Sequence, residues 1–173
     1  MRRKALCAAC LLLAFLLAGA KPYALEERFF RDIQSKKPAV ETPAHVPERF
    51  TFRPSKGARA AYYTYPIKKI NGAWAMAYKD LIHLVGKDRI SYLPEDKIIT
   101  LNQINRVYMA VDKAAVIRQS GRAEAEAYPT FEGDVLYVPL VFSLKEMGYT
   151  VNISGDETRM LIVPPREKSK VVP

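Results

Sequence analysis

One motif, written twice about 62 residues apart, constrains this chain more than any other feature. The clearer copy runs Gly133-Asp-Val-Leu-Tyr-Val-Pro-Leu140, then Leu144-Lys-Glu-Met-Gly148-Tyr-Thr-Val151, then Asp156-Glu-Thr-Arg-Met-Leu-Ile-Val163. The other runs from Asn71-Gly72 through Ala73-Trp74-Ala-Met-Ala77 to Gly86, then Ile90, then Asp96 to Leu101. Self-similarity at a fixed period marks a repeated structural unit. Each copy reads as a strand, a short helix and a hairpin. In the second, Pro139 stands where a strand turns into a helix, and a proline is tolerated there because that N–H lacks an intrahelical partner anyway. Gly148 then stops the helix, as Gly86 stops the first, because glycine takes the left-handed cap conformation at low cost. Asn71-Gly72 is a strong two-residue hairpin signal. Gly133 takes the equivalent turn position in the second copy.

The strand and helix spans follow from that scheme. Ala73 to Val85 is a strand passing into a helix with Leu81, Ile82, Leu84 and Val85 available for a core. Arg89 to Leu93 and Lys97 to Leu101 are strands around the Pro94-Glu-Asp turn. Val107 to Val111 and the Val116-Ile117 pair are further strands, with a turn at Ser120-Gly121. Residues 124–128 form a strand or a linker. Val135 to Val138, a helix from Pro139 to Met147 and a hairpin from Thr150 to Val163 complete the second unit. The fold class expected is α+β: a duplicated strand–helix–hairpin unit, mainly antiparallel sheet with short packed helices. One domain spans 61–165, with repeats at about 65–101 and 128–163.

The N-terminus carries a secretory signal pattern at 1–20. Arg2, Arg3 and Lys4 precede an apolar run from Ala5 to Leu17, and Ala18-Gly19-Ala20 fits the small-x-small cleavage rule, giving a mature start at Lys21. The run is shorter than the roughly 20 residues of a spanning helix. Cys10 has no aliphatic residue three positions before it and sits inside the apolar run, so lipid attachment is a lesser alternative. Cys7 and Cys10 are the chain's two cysteines, and both fall within the signal. A mature chain without cysteine relies on its core and has no thiol chemistry. The expected location is exported: periplasm, cell envelope or extracellular.

The formal charge of +9 is unevenly spread. Residues 61–165 hold twelve Lys/Arg and twelve Asp/Glu, whereas 21–60 hold nine basic and five acidic residues. The excess thus sits in an arm (21–60) and a tail (166–173), not in the domain. A nucleic-acid platform would concentrate cations on its folded face, so nucleic acid is not an expected partner. Basic ends on an exported chain suit anionic envelope polymers or lipid headgroups, or simply solubility. Within the arm, Leu25, Phe29, Phe30 and Ile33 recur at helical spacing. Such a helix either packs on the domain or touches a membrane surface. Pro38, Pro43, Pro47 and Pro54 then read as an extended spacer. The charged tail after Pro164-Pro165 is expected to be loose.

Together, Glu132-Gly-Asp-Val-Leu-Tyr-Val-Pro-Leu140, the Met147-Gly148-Tyr-Thr-Val151 helix stop and the Thr158 to Val163 strand resemble the copper amine oxidase N-terminal-like domain, also called the stalk domain. The resemblance covers roughly 62–164. It is specific in the second copy and degenerate in the first, where Ala77 stands in place of the proline and Tyr78 in place of the leucine. It implies an antiparallel sheet with short helices in an exported bacterial protein, and no oxidase chemistry, since this module lies apart from the metal and quinone of those enzymes. The family's usual arginine falls at Val141 in the second copy and at Lys79 in the first. That departure puts any role of the arginine in doubt.

The residues offer little for catalysis. Copper sites favour several imidazoles, and the chain has two histidines, His45 and His83. His83 is expected as a partly buried helix residue. The acid pairs Glu95-Asp96 and Asp156-Glu157 fall in hairpin turns, whereas acid/base work needs carboxyls facing one cleft. No catalytic, cofactor-binding or metal-ligating residue is assigned. Aromatic residues are the better lead, because exposed Trp and Tyr stack on sugars or anchor partners. Trp74, Tyr78 and Tyr137 are the candidate ligand contacts, against the favoured alternative of ordinary core and sheet packing, since aromatics are enriched in strands; Gly72, Gly86, Gly133, Pro139 and Gly148 are structural motif residues. The expected function is a non-catalytic binding or spacer module that contacts cell-wall polymer or another envelope protein. The alternatives are a small hydrolase-like exported enzyme and a membrane-surface accessory protein held by Phe29-Phe30. The sequence leaves oligomeric state open.

Overall fold

The computed structural model describes residues 28–46, 49–52, 59–60, 63–101 and 105–165. The expected signal at 1–20, Leu25 and the tail 166–173 lie outside the described residues. The described residues form mostly antiparallel sheet with two short helices, a mainly β form of α+β architecture.

A central sheet has the order β1-β4-β5-β12-β11. Strand β4 (Lys68–Ile70) meets β5 (Ala73–Ala77) through Asn71-Gly72, whose φ angles of 47° and 79° are both positive. That is the type I′ turn whose twist matches the flanking strands. Strand β11 (Thr130–Glu132) meets β12 (Val135–Pro139) through Gly133-Asp134. Strands β5 and β12 pair antiparallel, with Met76 opposite Val138, Ala75 opposite Pro139 and Ala77 opposite Tyr137. The period of two along a strand then sorts the side chains. Trp74, Met76, Leu136 and Val138 face the main core, while Ala75, Ala77 and Tyr137 face a smaller cluster with Ile70. Large rings on one strand meet alanines on the other, so the two faces both fill.

Each central strand runs straight into a helix: β5 into α1 (Tyr78–Val85) and β12 into α2 (Leu140–Glu146). Pro139 is the N-cap of α2 at φ −56°, a torsion its ring favours. The C-terminus of α2 is a Schellman motif. Gly148 N–H donates to Lys145 O at 2.9 Å and Tyr149 N–H to Leu144 O at 2.9 Å. Gly148 sits at φ 84°, where a Cβ would clash with its own carbonyl. Leu81 and Val85 of α1 and Leu140 and Leu144 of α2 complete the main core.

The second sheet is an antiparallel meander, order β10-β9-β8-β7-β6, built from β6 (Ile90–Leu93), β7 (Ile98–Leu101), β8 (Val107–Ala110), β9 (Ala115–Arg118) and β10 (Gly121–Glu124). Residues 125–129 are a linker rather than a strand. On one face Ile99, Leu101, Val107, Met109 and Val116 join the main core, while Ile98, Ala110 and Ala115 point the other way. That outer face is covered by the arm. Phe30 is fully buried against it, flanked by Phe29 and Ile33. Phe29 stacks on Tyr108 with centroids 5.3 Å apart. Lys113 Nζ donates to Phe30 O at 2.9 Å, and Lys36 N–H donates to Asp112 O at 2.7 Å.

The arm therefore differs from the expected spacer. Its β1 (Val40–Glu41) pairs with β4, and its β2 (Arg49–Phe52) pairs parallel with β14 (Arg159–Val163), itself hairpinned to β13 (Thr150–Ile153). A short β3 (Arg59–Ala60) pairs with β2. Open edges of β4 and β14 would otherwise present unpaired N–H and C=O groups. Prolines punctuate the arm instead of excluding strands from it: Pro38 and Pro43 flank β1, while Pro47 and Pro54 lie outside the described residues. Phe30 thus packs on the domain, the favoured of the expected alternatives, and not on a membrane surface. Among the described residues no helix is long and apolar enough to cross a membrane.

Candidate functional site

A pocket of about 260 Å³ opens where α1 begins. Ala77 ends β5, and Tyr78 and Lys79 start the helix, so the strand-to-helix junction forms one wall. Tyr92 enters from β6, Phe131 from β11, and Asp134, Val135 and Leu136 from the β11–β12 turn and the start of β12. Tyr65 closes the remaining side. Asp80, one turn position further into α1, is only 4 % exposed, and its Oδ2 accepts the Tyr65 N–H at 2.9 Å. That bond ties the Tyr65 segment to the helix and satisfies a backbone donor that burial would otherwise make costly.

The aromatic rings meet edge to face. Tyr78 and Tyr92 lie 5.8 Å apart at 63°, and Tyr92 and Phe131 lie 6.4 Å apart at 65°. Such pairs match the positive edge of one ring to the negative face of the next. Burial pushes the Tyr78 and Tyr92 phenols above their ordinary pKa, so both stay protonated at neutral pH. The Tyr92 backbone partly offsets the rise at Tyr78. Lys79 and Asp134 are exposed at the mouth, and neither has an ion-pair partner among the described residues. The pocket thus offers aromatic faces, phenol hydroxyls, one ammonium and one carboxylate. No protein family, curated protein or solved structure matches the chain.

The three candidate contacts separate. Tyr78 is a pocket wall. Trp74 is 4 % exposed, on the opposite face of β5, with Lys69 Nζ 4.5 Å from its ring centroid. Lys69 also pairs with Glu157 at 2.7 Å, so the Trp74 ring is roofed by an ion pair instead of open to a ligand. Its Nε1 has no hydrogen-bond partner among the described residues. Tyr137 is 3 % exposed and donates its hydroxyl to Pro66 O at 3.0 Å. Both are corrected from surface contacts to interior residues, because the strand period turns Trp74 to the main core and Tyr137 to the smaller one. Tyr92, Phe131 and Asp134 were not singled out by sequence. The signal available was weak: Phe131 lies two residues before the Gly133 turn and Tyr92 on an expected strand, and the β5–β12 pairing brings Phe131 to Tyr78 while Tyr92 comes from the second sheet.

His83 is exposed on α1 rather than partly buried, since it lies on the side of the helix away from Leu81 and Val85. Among the described residues no group of three or more His, Cys, Asp or Glu could hold a metal ion. The turn acids are local. Asp156 accepts hydrogen bonds from the Thr158 N–H at 3.2 Å and the Thr158 hydroxyl at 2.9 Å, and from the Ser154 hydroxyl. These donors favour the carboxylate and lower its pKa to about 2, the Ser154 hydroxyl contributing most. The folded value lies below the ordinary 3.8, so this turn's stabilisation is present above pH 3.8 and is lost as pH falls through about 2. A carboxyl-carbon NMR titration is expected to find Asp156 near 2, and Ser154→Ala is expected to move it towards 3.8. An unshifted wild-type titration would contradict the network.

Proposed function

We propose that this is an exported, non-catalytic envelope protein that binds cell-wall polymer through the aromatic pocket at the start of α1. The pocket is the observation that carries this reading. Concave aromatic walls with a few polar groups suit recognition of a ring, and Lys79 and Asp134 have no ion-pair partner among the described residues. Export rests on the Arg2-to-Ala20 signal pattern. A second site for the same polymer in the basic arm is disfavoured, because the described part of the arm is absorbed into the fold.

We propose further that the protein is a member of the stalk-domain family and carries a duplicated unit. In support, β4, β5 and the start of α1 each recur about 62 positions later as β11, β12 and the start of α2. Met76 pairs with Val138, its own counterpart under that step, and Ala75–Pro139 and Ala77–Tyr137 exchange symmetrically about it. A register that maps onto itself is what a pseudo-two-fold between two copies requires. In this arrangement Lys79 holds the position of the family's arginine, and it lies on the pocket.

Co-sedimentation of the secreted protein with purified wall sacculi tests the reading. Binding is expected to survive moderate salt, and Tyr92→Ala is expected to weaken it at least about tenfold, in line with the loss of a stacking contact. Deleting the arm is not a usable control, because it would remove Phe30, β1 and β2 from the fold. Binding that Tyr92→Ala leaves unchanged, or that salt abolishes, would overturn the assignment to the pocket. An absence of binding would point to a protein partner in the envelope.

A further inference from the structure

We infer that the pocket at the start of α1 takes a single sugar ring carrying a carboxylate, with Lys79 binding the acid. The inference rests on the pocket being the binding site and names what enters it. Size is the first constraint. At about 260 Å³ the pocket falls below the roughly 300–1,000 Å³ that holds a whole drug-sized ligand, so one ring fits and a chain must continue outside. Wall chemistry is the second. Tyr78, Tyr92 and Phe131 present faces and edges in perpendicular pairs, and three of the four aromatic walls, with Tyr65, carry hydroxyls. A purely apolar guest would leave those phenols unmatched. A pyranose has both apolar C–H faces and hydroxyls, and it uses both kinds of wall.

Charge is the third constraint. Lys79 is the second residue of α1, where the helix dipole adds positive potential, and Ala77 supplies no side-chain cap. Asp80, the acid of the same turn, is turned inward to the Tyr65 N–H. The ammonium at the mouth therefore favours an anion over a quaternary ammonium guest, which aromatic walls alone would also admit. Asp134, across the pocket, accepts from a ring hydroxyl or an amide N–H. An acidic, N-acylated sugar satisfies all of these groups at once.

NMR titration of the full secreted protein with N-acetylmuramic acid and N-acetylglucosamine tests this, because the two rings differ by one lactyl carboxylate. Shifts are expected at Tyr65, Tyr92 and Asp134, with the acidic sugar binding about tenfold tighter, as one charge-assisted hydrogen bond allows. Lys79→Gln is expected to reduce the acidic sugar to the neutral sugar's affinity without moving the unfolding midpoint, and Lys87→Gln, an exposed lysine off the pocket, to preserve the preference. Equal affinity of the two sugars for the wild type, a preference that survives Lys79→Gln, or no shift with either sugar would overturn the inference. Loss of the sugar response while sacculi still bind through Tyr92 would overturn this ligand class alone. A Lys79-dependent preference without sacculus binding would uphold it and remove the wall reading instead.

Discussion

Phe30→Ala is expected to lower stability by about 3–5 kcal/mol, the range for truncating a fully buried phenylalanine. The ring is fully buried on Ile98, Ala110 and Ala115. Two alanines in adjacent strands leave a depression in the sheet that the ring fills. The strands are hydrogen-bonded on both sides, β8 between β7 and β9, so the depression cannot close when the ring is removed. Cavities that do not relax carry the larger penalties. Urea unfolding followed by the fluorescence of Trp74, the single tryptophan, measures the change. A loss under about 1 kcal/mol would mean that the arm is not part of the core, since surface substitutions away from such contacts stay near ±0.5 kcal/mol.

The second large effect separates two positions that correspond under the 62-residue step. Leu140→Ala is expected to cost about 2–5 kcal/mol, because Leu140 is fully buried in the main core at the start of α2. Tyr78 starts α1 in the same way but is half-buried at the pocket. Tyr78→Leu places there the residue found at 140. It loses ring volume but keeps an apolar side chain against the core, and is expected to cost under about 2 kcal/mol, less than truncating a fully buried leucine. It removes the phenol and the edge-to-face contact with Tyr92, so sacculus binding is expected to fall with it. Equal destabilisation by both substitutions would show Tyr78 to be a core residue like its counterpart.

The elements that were legible in the sequence are those fixed by neighbours along the chain. Asn71-Gly72 forces a tight turn by itself, Pro139 and Gly148 bracket α2 by local hydrogen bonding, and the apolar spacing of α1 needs no distant partner. The arm was misread because its prolines argue locally against strands, whereas the strands β1 and β2 are so short that they fit between them and are held by the edges of β4 and β14. The same holds for the candidate site. Tyr78 was recoverable as a departure from the repeat, a tyrosine where the second copy has leucine. Trp74 and Tyr137 could serve as ligand contacts only if one face of β5 or β12 stayed open, and the sequence does not say that both faces are covered. Phe131 joins Tyr78 through the long-range β5–β12 pairing and the β11–β12 hairpin, and Tyr92 arrives from the other sheet, so no local signal carries either contact.

Hydroxyl-radical footprinting of the protein, free and bound to sacculi, tests the central claim most directly, because it reads side-chain cover on an insoluble polymer. The account predicts that Tyr65, Tyr78, Tyr92 and Phe131 become protected on binding, while Tyr63 and His83, exposed outside the pocket, oxidise as before. Bound protein whose pocket aromatics oxidise at the free rate, with protection confined to the arm around Phe29, would contradict it.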